Sequence, residues 1–70
     1  MAILEQYQVI ELAKDLNPVI VKGMMGTILE INENGKEFEV EFPQEDGTNY
    51  EYGGMNTFTI TADYILIEPQ

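Results

Sequence analysis

Four glutamates crowd around one short turn: Glu30 precedes Asn34-Gly35, and Glu37, Glu39 and Glu41 follow it at alternate positions. Residues two apart on a strand share a face, so this spacing gathers carboxylates on one side of a β-ribbon. Such a face has two chemistries open to it. A carboxylate pair can act as general acid and base, as in glycoside hydrolysis, if a cleft holds the two pKa values apart. A chain of 70 residues has little volume for that cleft. The other chemistry is recognition. Glutamates opposite one another in a sheet repel, at a few tenths to about 1 kcal/mol per pair. A Lys/Arg-rich partner relieves that cost on arrival. A solvated face with no partner accounts for the same residues.

The remaining reactive groups narrow the choice. There is no His and no Cys, which removes the usual general base, the usual zinc ligands and any disulfide. The lysines at 14, 22 and 36 are isolated in sequence, so no nucleophile–base pair is in view. Neither an enzyme nor a cofactor or metal is expected. Glu45-Asp46-Gly47-Thr48-Asn49 is rich in oxygen but lacks the spacing of a calcium loop, and turn chemistry explains it. Gly23-x-x-Gly26 lacks the Gly-Lys-Ser/Thr of a phosphate loop and precedes a strand, so its glycines are read as serving a bend. Met24, Met25, Met55, Tyr50 and Tyr52 fall in loops. There they either cap the core or supply adaptable apolar contact to a partner.

Thirteen acidic residues face three lysines and no arginine, for a net charge of −10. Nucleic-acid binding draws its affinity from Lys and Arg on phosphates, so that class is excluded here. A cationic partner surface, or solubility alone, fits the balance. No secretory signal or membrane-length apolar run is visible, and the expected location is the cytoplasm.

The elements that must position these groups are short strands. Asn34-Gly35 predicts a two-residue type I′ hairpin between Gly26–Ile31 and Glu37–Phe42, with positive φ at both turn residues. That register sets Ile31 opposite Phe38, Leu29 opposite Val40 and Thr27 opposite Phe42 on an apolar face. Glu30 with Glu39, Asn32 with Glu37 and Ile28 with Glu41 form the acidic face, which brings Ile28 into the candidate surface. Residues 2–16 admit a helix or a strand at Tyr7–Leu12 after a flexible start over 1–6. Val19–Val21 reads as a short extended piece, Asn56–Thr61 as a strand, Thr61–Tyr64 as a 3-10 turn capped by Thr61, and Ile65–Ile67 as a last strand. The order is strand, long loop, strand, tight hairpin, strand, longer loop, strand, helical turn, strand. It predicts one all-β domain over residues 1–70, an SH3-like barrel of about five strands. First and last strands pair in that plan, which favours the strand at Tyr7–Leu12. A three-stranded sheet under an N-terminal helix is the fallback.

Tyr7–Asn17, Gly23-Met-Met-Gly-Thr-Ile-Leu29 and Phe38-Glu-Val-Glu-Phe42 together resemble a bacterial domain-of-unknown-function family of very small acidic proteins. Its outline runs from an opening strand and an Asp-Leu-Pro-type loop through Gly-x-x-Gly-Thr-Ile to a Tyr-Glu-Val-Glu-Phe strand. The chain departs from it at Asn17-Pro18 and in a longer segment between Phe42 and Thr59. The resemblance implies an SH3-like fold, no catalytic residues, and an antitoxin or immunity role beside toxin-like or nuclease-like genes. The functional expectation is a protein-interaction module that takes a basic partner on Glu30, Glu37, Glu39 and Glu41. Ile28, Met24, Met25, Tyr50 and Tyr52 add apolar contact. An accessory subunit of a larger complex is the alternative.

Overall fold

A computed structural model describes residues 4–66. Four antiparallel strands form one open sheet in the order β1-β2-β3-β4. They are β1 (Val9–Glu11), β2 (Met25–Ile31), β3 (Glu37–Glu41) and β4 (Phe58–Thr61). One 3-10 turn, Ala62–Tyr64, follows β4. The segment read as helix or strand is strand, shorter than the expected Tyr7–Leu12: Val9, Ile10 and Glu11 pair with Thr27, Gly26 and Met25, and residues 1–3 of the expected flexible start lie outside the described residues. Among the described residues the expected last strand is a single antiparallel bridge, Leu12 to Ile65, and Ile67 lies outside them. Val19 and Ile20 form a bend and Val21 is irregular, so this piece is not a strand.

The β2–β3 hairpin keeps the expected pairing near its turn and loses it further out. Ile31 opposes Phe38 and Glu30 opposes Glu39, as the sequence predicts. The turn itself is different. Asn32 N–H donates to the Glu37 carbonyl and Gly35 N–H to the Asn32 carbonyl, so four residues close the loop, and positive φ falls on Gly35 and not on Asn34. The Asn32 side chain explains the choice. Its Oδ1 accepts from the amides of Lys36 and Glu37, and its Nδ2 donates to Glu37 Oε1 at 2.7 Å. These bonds reward the wider loop without moving the register. The two-residue turn with positive φ at both positions occurs at Gly53-Gly54, where Tyr52 and Met55 exchange backbone hydrogen bonds.

A bulge between Ile28 and Glu30 then changes the parity of β2. Ile28, not Leu29, opposes Val40, and Thr27 opposes Glu41 instead of Phe42. Ile28 is wholly buried, which corrects its expected place on the acidic face. The core lies on the inner face of the sheet. Ile10, Ile28, Phe38, Val40, Phe58 and Ile60 come from the strands, and Leu12, Ile20, Phe42 and Ile65 from the flanking segments. Ile31 packs against this cluster half-buried. Ile20 is drawn in by its loop: Asn17 Oδ1 accepts from the amides of Val19 and Ile20, and Leu16 N–H donates to the Ile20 carbonyl. Burying that side chain contributes about 1.5–3 kcal/mol. Phe42 meets Phe58 with ring centroids 6.1 Å apart, a tilted pair.

The segment after β4 is tied back to the segment after β1. Ala13 N–H donates to the Tyr64 carbonyl and Leu66 N–H to the Glu11 carbonyl. Lys14 Nζ lies 2.6 Å from Asp63 Oδ2 and 4.3 Å from the Tyr64 ring centroid. Thr61 does not cap the 3-10 turn with its side chain; its hydroxyl donates to the Asp63 carboxylate. The hydrogen bond from Lys14, then that from Thr61, holds the Asp63 carboxyl below its ordinary value of 3.8. Folding thus lowers this pKa, so the stability it contributes is present above 3.8 and is lost as pH falls through the folded value. Asp63→Asn is expected to unfold at lower urea than the parent at pH 7, with the gap closing in acid. A gap of the same size below the titration would show that the charge is not its source.

Candidate partner-binding surface

The register places the outer-face side chains in rows across the sheet. Glu30, Glu39 and Thr59 form one row, and Glu37 stands beside Thr61 in the next. Glu41 lies in a separate row with Thr27 and Val9, and Glu11 opposes Met25. Thr59 Oγ1 donates to Glu39 Oε2 at 2.8 Å, Asn32 Nδ2 to Glu37, and Asn49 Nδ2 to Glu41 Oε1 at 3.1 Å. These donors are neutral. They orient the carboxylates and leave their charge in place. Among the described residues the ion pair is Lys14–Asp63, next to Thr61 at the end of the Glu37 row, and no cation pairs with Glu30 or Glu39.

Glu30, Glu37 and Glu39 thus come together with Asn32, Phe38 and Thr59 around a shallow recess of about 200 Å³. Three of the four expected glutamates share one site, and Glu41 stands apart. Among the described residues no group of three or more acidic side chains is arranged to hold a metal ion. In the oxygen-rich loop Asp46 and Thr48 bond to each other. Asp46 Oδ1 accepts from both the hydroxyl and the amide of Thr48, and these bonds, the hydroxyl first, hold the Asp46 carboxyl below its usual range.

The apolar residues of the expected surface divide. Ile28 belongs to the core. Met24 and Tyr50 are half-buried against it, with Met24 Sδ accepting from Val21 N–H. Met25 is 52% exposed on the outer face, beside Glu11. Tyr52 joins Leu16, Asn17, Gly53, Met55, Phe58 and Thr59 around a second, larger and mainly apolar recess of about 470 Å³. The sequence places Met55 and Tyr52 in loops and does not single out Leu16, Phe58 or Thr59. Phe58-Thr-Ile-Thr61 carries the alternation that turns Thr59 outward, yet its nearness to Glu39 depends on β4 lying next to β3. Thr59 is common to both recesses, so the acidic and the apolar surface meet on β4.

Among the described residues no helix is long and apolar enough to cross a membrane. Set against family models, curated proteins and solved structures, the chain matches none of them.

Proposed function

We propose that this protein is a non-catalytic interaction module that receives a basic protein partner on the outer face of its sheet. The observation that carries the reading is the Glu30–Glu37–Glu39 recess, in which neutral donors orient Glu37 and Glu39 and, among the described residues, no cation pairs with the three carboxylates. On a chain of net charge −10 such a face accelerates encounter with cationic surfaces, by about 10–10³-fold at low salt. We read the sheet as most of an SH3-like barrel, with the Leu12–Ile65 bridge marking where a fifth strand lies beside β1. The resemblance of the sequence to small acidic proteins encoded beside toxin-like genes adds the setting: an antitoxin or immunity protein acting in the cytoplasm.

The test is charge reversal where the structure concentrates the charge. Glu30→Lys with Glu39→Lys is expected to keep the fold, since both side chains project from the outer face and the opposed pair stays like-charged, with its sign inverted. Capture of a partner from the native cell should fail with this variant. The purified partner's association rate should drop at least tenfold at low salt, and the difference should shrink at about 0.5 M salt. Glu41→Lys should do less, because Glu41 stands outside the recess. A partner with an acidic contact surface, or association unchanged by reversal at low salt, overturns the reading.

A further inference from the structure

The two edges of the sheet are not alike. The edge at β1 is occupied at its C-terminal end, by the bridge from Leu12 to Ile65 and the bonds from Ala13 to Tyr64 and from Leu66 to Glu11. At β4 no backbone hydrogen bond joins residues 58–61 to any described segment beyond β3. Alternation along β3 says which groups of β4 point outward. The Glu37 carbonyl accepts from Asn32 on the β2 side, and the Phe42 carbonyl accepts from Tyr50 on the other side. Odd residues of β3 therefore bond to β2, and Phe38 and Val40 bond to their β4 partners Ile60 and Phe58. That leaves the N–H and C=O groups of Thr59 and Thr61 aimed at the open edge, among the described residues.

We infer that the basic partner docks by strand addition: an extended segment alternating basic and apolar residues pairs antiparallel with the Thr59–Thr61 edge of β4. This rests on the interaction reading above and deepens it. A residue paired with Thr59 or Thr61 carries its side chain on the outer face, in line with Glu39 or Glu37. Neighbouring strands lie about 4.8 Å apart, so a lysine or arginine there reaches across the threonine to the carboxylate. The intervening residues of the added strand point to the inner side, next to Phe58, where Leu16, Tyr52 and Met55 line the apolar recess. Backbone bonding, charge pairing and apolar contact thus fall on one strand with a period of two. A second copy of this chain fits badly, because edge-to-edge pairing would set two acidic faces side by side on chains of net charge −10.

The probes are peptides of equal charge: acetyl-(Lys-Val)₄-amide, the same peptide N-methylated on its lysine amides, the same N-methylated on its valine amides, and a tetralysine in which no valines intervene. In the antiparallel pairing the lysine amides bond to β4 and the valine amides face away. The expected result is binding by the parent and the valine-methylated peptide, and at least tenfold weaker binding by the lysine-methylated peptide and by tetralysine. Amide exchange supplies the second measurement. Thr59 and Thr61 should exchange fast in the free protein and become protected with the parent peptide. Equal binding by all four peptides, lost in Glu30→Lys/Glu39→Lys, would keep the acidic face as the docking surface and overturn strand addition. Absence of any binding would overturn both. Thr59 and Thr61 already protected in the free protein, or protected more as protein concentration rises without peptide, would show the edge taken by the chain itself or by a second copy, and overturns the inference.

Discussion

Ile28→Ala is expected to cost about 2–5 kcal/mol, and Leu29→Ala about 1 kcal/mol or less. Ile28 is fully buried opposite Val40, so truncating it removes core contacts and leaves a cavity. Leu29 is half-buried in the bulge and does not belong to the core cluster. A domain of this size holds roughly 0.05–0.15 kcal/mol of stability per residue, so the first substitution removes a large share and the second does not. Urea unfolding of the two variants with the parent measures both. An uninterrupted two-residue alternation through β2 predicts the opposite order, with Leu29 inside. The larger loss at Leu29 would therefore remove the bulge, and with it the assignment of Ile28 to the core.

Gly26→Ala should be the second severe substitution, although it adds one methyl group. A Cβ at Gly26 would stand 2.7 Å from Cε1 of Phe42, 2.8 Å from Cγ1 of Val40 and 2.9 Å from the Glu41 carbonyl oxygen. Phe42 and Val40 are fully buried, so neither moves aside without disturbing its core neighbours, and the carbonyl is backbone. Overpacking of this kind costs about 1–3 kcal/mol, and three close contacts place it at the upper end. Each kcal/mol lowers Tm by about 4–8 °C for a domain of 60–100 residues, so a fall of about 10–20 °C is expected in a thermal scan. Phe42→Leu should be less costly in the Gly26→Ala background than in the parent, with a coupling of at least about 0.5 kcal/mol, because it removes one of the clashing atoms. Additive effects would mean that ring and methyl never meet.

These two sites explain what was legible and what was not. The alternation of Phe38, Val40 and Phe42 with Glu37, Glu39 and Glu41 runs through β3 and the residue after it, and the structure sorts all six as that alternation predicts. On β2 the same rule fails. Gly26 must face inward, since only a residue without Cβ tolerates Phe42 there, whereas Glu30 must face outward beside Glu39. Both numbers are even, and strict alternation would put both on one face. One extra residue resolves the conflict, and the bulge at Leu29 supplies it. Nothing local to Thr27–Glu30 announces this, because the requirement at Gly26 comes from a ring sixteen residues away. The candidate site divides similarly. Glu30, Glu37 and Glu39 were legible from the hairpin, but Thr59, which joins the acidic recess to the apolar one, was not.

By itself the amino-acid order determined the charge of the surface, the β character of the chain, the hairpin register next to Asn34-Gly35 and the helical turn after Thr61, because each follows from neighbours within a few residues. Tertiary structure decided which of two adjacent aliphatic residues enters the core, which edge of the sheet is covered, and that the glutamates and Tyr52–Met55 adjoin through β4. Those outcomes depend on close packing and strand order between distant segments, where a single methyl group at Gly26 is enough to change the answer.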